Sequence, residues 1–409
     1  MPTLKHFLEF TRTGADSSKK HIYLLGFLML FWALFDGILA FISPLIITDG
    51  GFSKTIMGFM IGSSSIFGAL FDIAATRILP SHHYRRIFMI MFILCFIYPF
   101  LLYSANSIAI YLCAMAVWGI YYDLKNFGEF DIVSRYSEPK DHASSFGFVQ
   151  ALQSAGYLIA PIIAGIVSAI SITWMPFSFS LLFLGISFIF FLALNSLSPT
   201  KTVVIARKPI SKKHLLISLD RIIFPILLLT FVLYTIDAFF WTIGPLFAES
   251  ISGSHEYAGI LMAAYTLPAL LVGWIVTRTT NMFGKKKTAY FSLLCGSILL
   301  MGTILVADSF IAILVLVFLA SIFLSISMPS INGVYADLIS ERNQYEGEIE
   351  SLTDFYTNIG YIIGPISAGY IADVWGNAAA FSSIGLMGVV VSLILFRITP
   401  KHITINNIL

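Results

Sequence analysis

Residues 30–46 read LFWALFDGILAFISPLI, an apolar run broken by a single acid, Asp36. The run extends from about Ile22 to Ile47. That is long enough to cross a hydrocarbon core of about 30 Å at about 1.5 Å per residue. An ionisable group at the centre of such a helix costs roughly 2.5–3.5 kcal/mol on insertion scales. Asp36 is therefore either satisfied by hydrogen bonds inside a helix bundle or kept for its charge or its proton.

Composition assigns the chain to the membrane. Of 409 residues, 58% are hydrophobic and 11% charged, and the mean hydropathy is +0.88. A water-soluble chain carries about 25% charged residues. The net charge of +2 is scattered over short loops and points to no nucleic-acid partner. Cys95, Cys113 and Cys295 all lie inside apolar runs, so neither a disulfide framework nor a metal or other cofactor is expected. The first twenty residues are polar, and the run behind them is too long for a signal h-region, so no cleaved leader is expected.

Apolar runs of spanning length fall near 22–47, 54–79, 87–104, 108–133, 143–169 and 173–197. A second set lies near 222–248, 256–278, 288–307, 310–338, 352–373 and 378–398. With the N-terminus placed in the cytoplasm, every Lys and Arg except Lys54 and Lys125 falls on the cytoplasmic side or at a cytoplasmic helix end. The pattern predicts an all-α, multi-pass protein of the plasma membrane with twelve transmembrane helices and both termini cytoplasmic.

The second half repeats the first. Under the opening stretch lies TFVLYTIDAFFWTIGPLF, and the spacing from Asp36 to Pro44 recurs from Asp237 to Pro245. Ser53 and Gly58 match Ser254 and Gly259 in the same register. Further on, AGYLIAPIIAG answers to IGYIIGPISAG, with Gly156, Pro161 and Gly165 matching Gly360, Pro365 and Gly369. A duplicated six-helix unit explains this. It gives two pseudo-symmetric bundles, residues 1–197 and 222–409, joined by a basic cytoplasmic loop over 198–221. Two such halves can rock about a site near the membrane midplane.

Over nearly its whole length the chain resembles the major facilitator superfamily. That resemblance implies that spans 1, 4, 7 and 10 line a central cavity, with Asp36 and Asp237 on opposing walls. Gly156, Ala160, Pro161, Ala164 and Gly165 resemble the antiporter motif of drug–proton exchangers, and Gly360, Gly364, Pro365, Ala368 and Gly369 repeat it. Small residues four apart allow close helix approach, which suits ordinary packing or the seam between two moving halves. Other family marks are worn. RILPSHHYRR keeps Arg85 and Arg86 but has Ser81 at the acid position of the loop motif, and Asn281 stands there in the second half. An alternative alignment uses Gly68 and Asp72. Span 4 lacks the arginine of the drug-exchanger subgroup.

Trp118, Tyr122, Lys125 and Glu129 share one stripe of span 4, and Lys125 is the only lysine expected within the membrane. It can pair with Asp36 or Glu129, as a static ion pair or a switchable one. Burial disfavours a carboxylate's charge and a nearby ammonium favours it, so moving the partner changes proton affinity. Asp36, Asp237, Lys125 and Glu129 are the candidate proton-coupling set. Trp32, Trp118, Tyr122, Asn126, Tyr234, Trp241 and Asn332 are candidate cavity residues, in faces suited to cationic or amphipathic molecules or to sugars. On the cytoplasmic side Arg85 and Arg86 can meet Asp131, and Lys285 and Lys286 can meet Asp337, as a latch or as solvated pairs worth about 0–1 kcal/mol.

The expected function is proton-coupled secondary transport of small organic molecules by a monomer, with efflux by antiport ahead of uptake symport. A ligand-binding receptor that moves nothing is the reading from another class. No nucleophile–base set or nucleotide loop suggests an enzyme or an ATP-driven pump.

Overall fold

The computed structural model describes residues 17–78, 84–137, 141–197, 213–341 and 345–399. Six helices form the first half: α1 (Ser17–Asp49), α2 (Lys54–Ile78), α3 (Tyr84–Tyr103), α4 (Ile108–Tyr136), α5 (His142–Ile170) and α6 (Met175–Ser196). Seven follow: α7 (Lys213–Ser252), α8 (His255–Leu271), α9 (Gly273–Phe283), α10 (Lys285–Met301), α11 (Phe310–Glu341), α12 (Glu346–Trp375) and α13 (Asn377–Ile398). α7 begins inside the expected central loop, and residues 198–212 lie outside the described residues.

Ten of these helices are long and apolar enough to span a membrane, and α8 with α9 makes an eleventh span bent by 62°. Where the sequence predicts one straight span over 256–278, the chain forms two helices that meet at a bend. Pro268 removes a backbone donor one turn before the break, and Gly273 resumes the chain after it. The twelfth, α12, is 30 residues long but carries Glu346 and Glu348 in its first turn. At about 1.5 Å per residue its length still suffices, and it packs on α2 and α7.

Equivalent turns join equivalent helices. Gly51 (φ 85°) and Gly253 (φ 68°) provide the left-handed residue that lets α1 turn into α2 and α7 into α8. The matched serines then cap the next helix: Ser53 accepts from the Ile56 amide at 3.3 Å and Ser254 from the Glu256 amide at 3.3 Å.

α1 and α7 are the central elements. Within their apolar windows 83% and 67% of residues are buried, against 33–44% in the other spans. α1 packs on α5 and α6, and α7 on α12, α8 and α13. The outward faces carry Phe96, Phe100 and Leu182 exposed. An apolar exterior of this extent is a lipid-facing surface. The halves meet along α2–α12, α5–α8 and α1–α7, pairs that the duplication exchanges with one another.

Candidate functional site

Asp36 lies in the most enclosed helix, 2% exposed, with about three turns or more of helix on either side. Trp118 Nε1 (3.1 Å) and the Tyr121 hydroxyl (2.6 Å), both from α4, donate to Oδ1. The Tyr157 hydroxyl, from α5, donates to Oδ2 at 2.8 Å. In the second half, half-buried Asp237 accepts from Tyr265 of α8 at 2.6 Å and from Tyr361 of α12 at 2.7 Å. Tyr157 and Tyr361 are equivalent under the duplication, so each half aims a tyrosine at its own carboxylate from the same direction. The protein thus replaces the water that each acid loses on burial.

A crossing of small residues makes room for these bonds. A Cβ on Gly37 would lie 2.7 Å from Ala160 Cβ and 3.2 Å from Tyr157 Cδ1. In the second half the sizes are exchanged: Ala238 stands on α7, and a Cβ on Gly364 would lie 2.6 Å from its methyl. Each half fits one methyl, not two, into the crossing beside its acid.

Lys125 pairs with Glu129 one turn away on α4, at 3.7 Å, and not with Asp36. Its ammonium sits 5.2 Å from the Trp32 ring and 4.9 Å from that of Tyr122. Lys125 and Glu129 are 3% and 7% exposed, so neither charge is solvated. Removing one partner strands the other, at a cost of about 3–5 kcal/mol. Lys125→Met is therefore expected to lower the thermal unfolding midpoint sharply, and adding Glu129→Leu to restore most of the loss.

Among the expected cavity residues, Trp118 binds Asp36 directly, Trp32 is fully buried beneath Lys125, and Tyr122 is 38% exposed. Trp241 meets Tyr157 of the other half edge-on at 5.9 Å, and Tyr234 lies 5.5 Å from Tyr361. Asn126 and Asn332 are exposed, and among the described residues neither is bonded to either carboxylate. The partners that the sequence reading missed are Tyr121, Tyr157, Tyr265 and Tyr361. Two of them, Tyr157 and Tyr361, stand in register inside the repeated motif.

The small-residue stripe of α5 and α12 has two faces. Pro161 and Gly165 meet α8: a Cβ on Gly259 would overlap the Pro161 carbonyl, and one on Gly165 would lie 2.6 Å from the His255 carbonyl. Pro365 and Gly369 meet α2 in the same way, at Gly58 and Lys54. Gly156, Gly360 and Gly364 face elsewhere, toward α1 (Leu30, Ala33) and α7 (Phe231, Tyr234, Ala238) of their own halves. The expected seam is thus carried by the later half of each motif.

These close approaches lie on the membrane face opposite the basic loops. There Asp373 of α12 closes over the start of α2, accepting from the amides of Lys54 (3.1 Å) and Thr55 (2.7 Å) and from the Thr55 hydroxyl (2.6 Å). Lys54 Nζ donates to Asn377 at 2.7 Å. Lys54, one of the two lysines outside the basic face, is therefore a bridge between halves. Asp373→Ala is expected to loosen this clasp, read as longer spin-label distances across that face.

On the basic face, Lys285 meets Asp337 at 2.6 Å. The other expected latch is corrected. Asp131 binds Arg135 of its own helix at 2.7 Å and the Tyr84 amide at 2.9 Å, while Arg85 donates to the carbonyls of Asn195 and Leu197 and Arg86 is exposed. The local i,i+4 pair and a helix start compete successfully for the carboxylate. Lys286 is half-buried at the start of α10. Ser81 of the loop motif falls outside the described residues.

A family match to the Major Facilitator Superfamily covers residues 226–407. The chain is 21% identical to quinolone resistance protein NorA of Staphylococcus aureus over 379 residues, 92% of this chain and 96% of that one. It is 24% identical to multidrug resistance protein 2 of Bacillus subtilis over 246 residues, 58% of this chain and 59% of that one. Among solved structures, a peptide transporter POT superposes with a TM-score of 0.74 at 13% identity, covering 93% of this chain and 94% of that one. The nucleoside transporter NupG does so at 0.68 and 15%, covering 93% and 97%. With this fold, the family match over its second half and drug-resistance relatives along most of its length, the chain is a membrane transporter rather than an enzyme, similar to the major facilitator superfamily.

Proposed function

We propose that the chain is a monomeric, proton-coupled antiporter that exports cationic or amphipathic small organic molecules across the plasma membrane, with both termini in the cytoplasm. The observation that carries this reading is the matched pair of tyrosine-bound carboxylates in the two central helices. A membrane-buried acid is costly and two in equivalent places are more so, which argues for use of their protons. The bundles 1–197 and 222–409 rock about them, with 198–221 as the connection. The tight contacts at Gly58, Gly165, Gly259 and Gly369 belong to a state closed on the face opposite the basic loops.

The choice of substrate class rests on the setting of Asp237. Among the described residues no Lys, Arg or His pairs with it, whereas Asp36 has Lys125 nearby. Tyr234, Trp241 and Tyr361 surround Asp237 with aromatic faces, and exposed Tyr122 stands across from it. A carboxylate among aromatic rings suits an organic cation. Reconstitution into liposomes with an imposed pH gradient, read with a small-molecule panel, tests the reading. Proton movement opposite to substrate flux is the expected result. Co-directional movement would make it a symporter, and binding without passage a receptor.

A further inference from the structure

We propose that Tyr157 is a positioning residue that ties the charge of Asp36 to the contact between the two bundles. The inference rests on the reading of Asp36 as a proton carrier and goes beyond it by naming the mechanical link. Trp118 and Tyr121, which donate to Oδ1, both belong to α4 of the first bundle and move with it. Tyr157 donates to Oδ2, and the edge of its aromatic contact reaches across the seam to Trp241, 5.9 Å away at an interplanar angle of 67°. Trp241 is one turn beyond Asp237 on α7. One tyrosine therefore touches the first acid with its hydroxyl and the helix of the second acid with its ring.

A carboxylate accepts on both oxygens, whereas the neutral acid carries one O–H that must donate. Two donors already point at Oδ1, so an incoming proton is accommodated on Oδ2, facing the Tyr157 hydroxyl. Donor then meets donor, and Tyr157 must turn from donating to accepting. The α1–α5 crossing has no slack to absorb that change, because Gly37 already abuts Ala160 and Tyr157. The movement passes into the Tyr157 side chain and hence into its contact with Trp241. Tyr361 donates to Asp237 in the same way, but its ring rests on Tyr234 of its own bundle. Among the described residues, the ring contact that crosses the seam beside an acid is that of Tyr157.

Other titratable groups face Asp36 and could respond to pH: Cys95 and Tyr98 from α3, Tyr121, Tyr122 and Lys125 from α4, and Tyr157 itself. Asp237, Tyr234 and Tyr361 stand across the seam beside Tyr122. The test must therefore compare Tyr157→Phe with Asp36→Asn. Nitroxide labels on Ser144→Cys at the start of α5 and Ser351→Cys at the start of α12, both exposed positions, report the bundle separation. Cys113 and Cys295 are first replaced by Ser, and Cys95 is buried.

Distance distributions from acid to neutral pH are recorded on the full chain in liposomes, with no substrate needed. The wild type is expected to change separation with pH and Asp36→Asn to abolish the change. Tyr157→Phe, which keeps the ring and loses only the hydroxyl, is expected to lose at least half of it, as is Trp241→Ala, with Trp241→Phe retaining it. The double variant Tyr157→Phe/Trp241→Ala is expected to be no worse than either single change. A wild-type response in Tyr157→Phe, with Asp36→Asn still inert, overturns the link alone. A wild-type response in Asp36→Asn, or no response in the wild type, overturns the proton reading and the link together.

Discussion

Asp36→Asn is expected to lower gradient-driven transport by about 100-fold or more, the scale on which loss of a required proton carrier acts. The substitution leaves volume and shape almost unchanged. The amide oxygen of Asn can still accept from Trp118 and Tyr121, and its NH2 can donate to the Tyr157 hydroxyl, which accepts as readily as it donates. The second N–H of that NH2 has no acceptor among these partners, so the unfolding midpoint is expected to fall by no more than one unpaired donor costs, about 1–3 kcal/mol. Asp237→Asn should behave alike, because Tyr265 and Tyr361 offer the same accommodation. Substrate exchange at equal pH on both sides needs no net proton movement and is expected to survive in both variants. Accumulation assays in liposomes with and without a pH gradient check both halves of the prediction. Full accumulation in either variant would remove that acid from the mechanism.

The second large effect is steric. A Cβ at Gly58 would overlap the Pro365 carbonyl, and one at Gly259 the Pro161 carbonyl. Backbone cannot swing aside as a side chain can. Overpacking costs about 1–3 kcal/mol, and here it falls on the contact between bundles rather than on either bundle's core. Gly58→Val and Gly259→Val are therefore expected to disfavour closure of the face opposite the basic loops by about tenfold to 100-fold, with a matching fall in transport. Each bundle should still fold. Gly185→Val on α6 is the control, since nothing lies within 4 Å of a Cβ there, and it should transport normally. Normal transport by Gly58→Val would show that this close approach is not part of the cycle.

The architecture was legible in the sequence because a duplicated pattern reports on itself. Asp36 stands out in its own apolar run, and laying one half under the other adds Asp237 and the serines that cap α2 and α8. Tyr157 and Tyr361 were visible in the same alignment, but a tyrosine in an aromatic-rich chain carries no mark of its partner. Tyr121 and Tyr265 could not have been found this way, because they come from α4 and α8, which are not equivalent helices. The stripe of α5 and α12 misled for a geometric reason. Small residues four apart show that something comes close, not which neighbour comes close, and here the earlier positions face the same half and the later ones the other. The exchanged pair, Gly37 with Ala160 against Ala238 with Gly364, is the one place where the identity of the neighbour could be read from residue sizes. Arg85 and Arg86 are expected to meet Asp131 as a latch, but Arg135 sits one helical turn from Asp131 and takes it.

Proton exchange by the two central acids as the bundles tip is most directly tested by infrared difference spectroscopy between populations trapped closed on one face and on the other. The account predicts a protonated-carboxyl stretch that differs between the two states, with one component missing in Asp36→Asn and another in Asp237→Asn. Carboxyl spectra that are identical in the two trapped states, or a difference band that persists in both variants, would contradict it.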